Sequence, residues 1–131
     1  MKDFFALAAL IVCAVAVLRF YNARMPGASA PKRTMQEVRE RLDSGAAVTL
    51  LDVRTEEEFA SGHIPGAVCL PVKELSEKAA AVLPDKEAEI LVYCQSGRRS
   101  AAAAARLLKL GYANVSDFGG IQDWPYEIVS D

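Results

Sequence analysis

Ile90-Leu91-Val92-Tyr93-Cys94-Gln95-Ser96-Gly97-Arg98-Arg99-Ser100, followed by the alanine run from Ala101 to Ala105, decides how this chain folds. The apolar run Ile90–Tyr93 is bounded like a buried strand, and the strand is predicted over Glu89–Tyr93. Alanine has the highest helix propensity, so Ser100 to Leu110 is predicted as a helix. A strand that passes through a short loop into a helix puts Cys94 at the carboxyl end of one and the amino end of the other. Unpaired backbone N–H groups and the positive end of the helix dipole meet there. That setting favours a thiolate and can hold an anion beside it, which is what a reactive cysteine needs. It also requires that the sulfur be open to solvent and that the amides be turned toward it.

Working outward, the same alternation repeats. Val48–Val53 reads as a second buried strand, Ala67–Leu70 as a short one, and Asn114–Phe118 as another, ahead of Gly119-Gly120. Thr34-Met35-Gln36-Glu37 and Thr55-Glu56-Glu57-Glu58 are capping boxes that open helices. The first helix carries Met35, Val38 and Leu42 on one stripe and stops at Gly45; the second ends near Gly62. Val72–Val82 is helical by its pattern, and Pro84-Asp85 breaks it. Strands alternating with helices indicate an α/β fold built on a parallel sheet. In such sheets sites form beyond the carboxyl ends of strands, so the ends at Val53 and Tyr93 share one crevice.

The chain has 131 residues and a formal net charge of −2. After residue 30 there are 12 Lys and Arg against 16 Asp and Glu, so the domain is acidic by about four charges. No basic stripe with interleaved aromatics is present, which argues against nucleic acid as a partner. The three cysteines, Cys13, Cys69 and Cys94, are far apart, and His63 is the single histidine. That spacing excludes a zinc site. Cys69 reads as a small core residue.

Phe4 to Leu18 are fifteen consecutive apolar residues, followed by Arg19 and Phe20-Tyr21. As a helix, Phe4–Tyr21 is about 27 Å long, close to the ~30 Å of a hydrocarbon core. Residues 1–24 are therefore expected to be a hydrophobic membrane anchor or a signal segment, 25–31 a linker and 32–131 the folded domain. The contact with a membrane would run through residues 4–21. Arg19, Arg24, Lys32 and Arg33 after the span place the domain in the cytoplasm by the positive-inside bias. The alternatives are an exported domain after signal cleavage, with Ala28-Ser29-Ala30 as a weak cleavage site, and a hydrophobic helix packed on protein.

Asp52-Val53-Arg54, Glu58-Phe59 and Gly62-His63-Ile64-Pro65-Gly66-Ala67, then Val92–Ser100, then Leu110–Val115 and Gly119-Gly120-Ile121-Gln122-Asp123-Trp124 together resemble a single-domain rhodanese, of the thiosulfate sulfurtransferase-like family. The match spans roughly residues 33–126. The resemblance implies a rhodanese-like three-layer α/β domain with a central parallel sheet flanked by helices, here preceded by the N-terminal hydrophobic helix, and a sulfurtransferase whose Cys94 accepts a sulfane sulfur, becomes a persulfide and passes that sulfur on. It implies a small anionic donor such as thiosulfate, cyanide or a thiol (free or on a protein) as acceptor, and no cofactor. The expected loop is Gln95, Ser96, Gly97, Arg98, Arg99 and Ser100. Gly97 supplies a backbone conformation that a β-carbon resists. Ser96 and Ser100 donate hydroxyls, and Ser100 caps the helix. Arg99 occupies the family's loop-closing arginine position, and Arg98 points outward toward an anionic substrate.

Asp52 and Arg54 are the expected supports from the neighbouring strand end. Asp52 would pair with a loop arginine, and Arg54 would add positive potential near the sulfur. A plain local ion pair is the competing reading for both. His63 sits in a turn and is expected to be structural, because attack by a thiolate needs no base. Many active members of the family carry a cation where this chain has Gln95, which points to weaker thiosulfate binding or to another donor such as a persulfide.

Two other classes compete. Phosphatases and arsenate reductases of related folds have five residues between Cys and Arg, whereas four separate Cys94 from Arg99. A non-catalytic, membrane-tethered binding module is the other alternative, and the presence of the cysteine weighs against it.

Overall fold

The computed structural model describes residues 2–24 and 29–131, with side chains described from 8 to 19 in the first helix and from 29 onward. Residues 25–28 of the expected linker, and the side chains of Phe4 and Tyr21 that bound the expected span, lie outside the described residues.

Four strands, β1 (Val48–Asp52), β2 (Val68–Cys69), β3 (Glu89–Cys94) and β4 (Val115–Gly120), form one parallel sheet in the order β2-β1-β3-β4. The chain crosses between them through α3 (Glu56–Ser61), a 3-10 turn at Val72–Glu74 with α4 (Leu75–Val82), and α5 (Arg98–Lys109). Helix α2 (Met35–Asp43) precedes the sheet, and a 3-10 turn at Ile121–Asp123 follows it. Parallel strands need such crossovers, and helices on both faces bury the sheet.

Every residue of β3 is buried, and its side chains alternate between two cores. Ile90, Val92 and Cys94 join Leu51, Val53 and the α4–α5 face, where Leu75, Ala79, Ala103, Ala104 and Leu107 pack. Leu91 and Tyr93 join Leu50, Phe118, Trp124, Ile64 and Val38 of α2 on the other. This period of two is the pleat itself, and it decides where the site lies: Cys94 points toward the face that α5 covers.

Both capping boxes form, at Thr34 with Glu37 and at Thr55 with Glu58. The outer edge of β4 is not bare, because Pro31 accepts from the Asp117 amide and the Arg33 amide donates to Asp117, each at 2.9 Å. Such pairing blunts an exposed strand edge.

Helix α1 spans Lys2–Arg24. All of its described side chains, residues 8–19, are exposed, and none of them joins either core. Among the described residues, no helix is long and apolar enough to cross a membrane.

Candidate active site

Strands β1 and β3 lie side by side and end together, with Asp52 opposite Tyr93. The loop Gln95–Gly97 leaves β3 and enters α5 at Arg98, two residues before the predicted start at Ser100. Gly97 is the residue that makes the early start possible. It takes φ +101°, in the left-handed region closed to most side chains, and turns the chain straight into the helix. Ser100 is therefore not a cap: the cap position is Gly97, and no side chain bonds there. Ser100 instead sits buried in the first turn, with its hydroxyl 3.5 Å from Cys94 Sγ, 3.1 Å from the Gly97 carbonyl and 3.3 Å from the Gly119 carbonyl. One hydroxyl proton serves these neighbours. It goes to a carbonyl while the thiol donates to Oγ, and it is free to turn to the sulfur once the thiol has lost its proton.

The Gly97 amide donates to Cys94 Sγ at 3.0 Å. Burial raises the cost of charging this sulfur and is the largest single influence on it. The Ser100 hydroxyl and the amides of Ser100, Gly97 and Ser96 together outweigh that cost, and the thiol is held below its ordinary range. The amides thus meet the requirement read from the sequence. The solvent requirement is not met: Cys94 is 0 % exposed. The cause is the pleat, which aims Sγ at the α5 face, together with the early first turn that closes Ser100 over it. Gln95 and Ser96, the segment next to the sulfur, are exposed.

Three arginines surround this loop, and they differ. Arg54, only 4 % exposed, donates to Asp52 through Nε at 3.1 Å and Nη2 at 2.8 Å, to the Gly62 carbonyl at 2.6 Å and to Gln95 Oε1 at 3.3 Å. Asp52 is fully buried and also accepts the Arg54 amide at 2.9 Å. Asp52 therefore pairs with its near neighbour, not with a loop arginine as the sequence suggests. Two residues along the chain is the shorter reach, and the end of β1 turns Arg54 back over it. The network still touches the loop, through Gln95.

Arg99 is taken by Glu58 of α3, with Nη1 to Oε1 at 2.7 Å and Nη2 to Oε2 at 2.9 Å. The hydrogen bond from Arg99 holds the Glu58 carboxyl down to about 2, against some opposing burial. Glu58 was legible as a capping residue and within the motifs of the resemblance, but not as the partner of Arg99. Arg98 is exposed and makes no ion pair among the described residues. His63 is structural: Nδ1 donates to the Phe59 carbonyl at 2.8 Å, and the ring stacks on Phe59 at 3.7 Å.

Gly120 is a site residue that the sequence marked only by resemblance. It pairs in register with Cys94, and a Cβ there would overlap the Gln95 carbonyl and come within 2.6 Å of Ser96 Cα. The close approach that only glycine allows lets the loop lie flat on β4.

Comparison with known proteins gives the same picture. The family model of the rhodanese-like domain matches residues 34–126. The thiosulfate sulfurtransferase PspE of Escherichia coli is 40% identical over 78 residues, which cover 60% of this chain and 75% of that protein. The human thiosulfate:glutathione sulfurtransferase is 40% identical over 110 residues, covering 74% of this chain and 95% of that one. The solved structure of a rhodanese with anions from E. coli superimposes with a TM-score of 0.61 at 36% identity, over 65% of this chain and all of that one.

Proposed function

The chain belongs to the rhodanese-like domain family and is a rhodanese-type transferase, and we propose on that premise that it moves a sulfane sulfur through a persulfide on Cys94. The observation that carries this reading is the sulfur at the end of β3, held at 3.0 Å by the Gly97 amide and faced by the Ser100 hydroxyl. With thiosulfate as donor, the Cys94 thiolate attacks the outer sulfur. The bond to the sulfonate sulfur breaks, and sulfite leaves with its electron pair. The terminal sulfur of the persulfide then carries the charge, and the amides that held the thiolate are placed to hold it. An acceptor such as cyanide or a thiolate attacks that sulfur, and the Cys94 thiolate leaves. No base is needed at either step, in keeping with the structural place of His63.

The closed resting form means that Gln95–Gly97 must give way before a donor reaches Sγ. The loop does not favour phosphate chemistry: four residues separate Cys94 from Arg99, and Glu58 already occupies the Arg99 fork. The test is a pulse of thiosulfate followed by mass measurement of peptides. One added sulfur atom on Cys94 is expected. Addition on Cys69, or none anywhere, contradicts the reading.

We further propose that α1, although its described side chains (residues 8–19) do not by themselves make a membrane span, anchors the protein in a membrane with the domain in the cytoplasm. Support comes from the fifteen-residue apolar run Phe4–Leu18, from a 23-residue helix whose described side chains are all exposed, and from the arginines and lysines that follow the apolar run. The full chain is expected to stay in the membrane pellet after alkaline carbonate washing, with the domain protected from protease added outside. Release by carbonate defeats the anchor, and a mature amino terminus beyond residue 24 shows a cleaved signal instead.

A further inference from the structure

We propose that Glu58 is a specificity-determining residue of this site: by neutralising Arg99 it leaves Arg98 as the one uncompensated loop cation, and so limits how strongly a doubly charged sulfur donor is held. This rests on the persulfide reading above and names the residue that sets its donor preference.

The charge count around the loop is made of pairs. Arg54 is matched by buried Asp52, and Arg99 is matched by Glu58 in a two-pronged contact. Gln95 is neutral. Arg98 alone faces solvent without a carboxylate among the described residues. Glu58 is well placed to keep its role, because its carboxylate also accepts from the Thr55 amide at 3.3 Å and the Thr55 hydroxyl at 3.2 Å. Its own helix cap thus fixes its orientation. Arg99 lies near enough to Cys94 and Asp52 for their charges to act on it, and Glu58 acts on Arg54 as well. The charged and titratable groups that bear on the Glu58–Arg99 pair are therefore Asp52 and Cys94, which act on Arg99, and Arg54, on which Glu58 acts. Removing the Glu58 charge exposes a second cation to whatever anion approaches the sulfur.

Electrostatic attraction scales with ligand charge. A change of site charge that favours a singly charged donor by some factor favours a doubly charged one by about the square of that factor. Two donors test this: thiosulfate, a dianion, and methanethiosulfonate, a monoanion that gives up its outer sulfur and releases methanesulfinate. In the full-length chain in detergent, E58Q is expected to lower KM for thiosulfate by roughly tenfold and for methanethiosulfonate by roughly threefold. E58D should return both toward the parent values. R98Q, at an exposed position with no packing to lose, should raise both KM values with the same squared relation. Equal changes for the two donors, or no change in either variant, overturn the proposal, and R98Q decides it if E58Q does not fold. A second readout needs no sulfur transfer. The pH midpoint of Cys94 alkylation by iodoacetamide should fall in E58Q, because the unshielded guanidinium favours the thiolate; an unchanged or raised midpoint counts against the proposal. Absence of transfer in the parent protein would defeat the persulfide reading and leave this alkylation result standing by itself.

Discussion

Cys94→Ala is expected to reduce thiocyanate formation from thiosulfate and cyanide to the uncatalysed background, with the fold retained. The substitution removes one buried sulfur and leaves a small gap beside Leu51, Val53 and Ala103 in the α4–α5 core. It also leaves the Gly97 amide without its 3.0 Å acceptor. Those losses amount to about 1–2 kcal/mol, well within the stability of an ordinary domain. The melting temperature should fall by roughly 5–10 °C with an unchanged circular dichroism spectrum. Cys69 does not take over. Asp52 pairs in register with both Cys69 and Tyr93, so Cys69 faces the Tyr93 side of the sheet while Cys94 faces the other. Burial first, and then the Asp52 carboxylate, push the Cys69 thiol up to about 11, so it stays protonated at neutral pH. Cys69→Ser should accordingly keep full activity. Sulfur transfer by Cys94→Ala, or its loss in Cys69→Ser, would move the nucleophile elsewhere.

What was legible in the sequence was local or periodic. The apolar run Ile90–Tyr93, the two capping boxes, and the order of strands and helices are read from short runs and close spacings, and the parallel sheet follows from them. What escaped depends on contacts across the chain. Arg99 and Glu58 are 41 residues apart and meet only because α3 and α5 both begin at the carboxyl edge of the sheet. The pairing of Asp52 with Arg54 depends on how the chain turns after β1, and two loop arginines were equally good partners on paper. The start of α5 at Arg98 depends on the left-handed turn at Gly97, which propensity alone cannot place. The burial of Cys94 could have been foreseen from its parity with Ile90 and Val92. Amides converging on a sulfur and a sulfur closed from water are two results of the same tight turn.

Gly120→Ala is expected to cost sulfur transfer at least a hundredfold while the sheet and helices remain. Gly120 has an ordinary extended backbone, φ −117° and ψ 144°, so the difficulty is one of space rather than of conformation. The new methyl would overlap the Gln95 carbonyl and lie within 2.6 Å of Ser96 Cα, and both are backbone, which cannot swing aside as a side chain does. The loop must lift by an ångström or more. Gln95 would then lose the Gln122 amide that reaches its carbonyl at 3.3 Å, and the Arg54 contact at its side chain would stretch. More important, the amides of Ser96 and Gly97 would move off Sγ. The hydrogen bonds that offset burial would weaken while much of the burial remained, so the Cys94 thiol should climb toward or above the free value near 8.5. A misplacement of this size in a reacting group typically costs about a hundredfold, and the lost thiolate at neutral pH adds to it. The stability cost is about 1–3 kcal/mol, as for other overpacked sites. The decisive pair of measurements is kcat/KM for transfer and the pH midpoint of iodoacetamide alkylation at Cys94, with Cys69 alkylation as the check that the domain is folded. A rate near that of the parent protein, or a midpoint that does not rise, would mean that the amide cradle is not what holds this sulfur ionised.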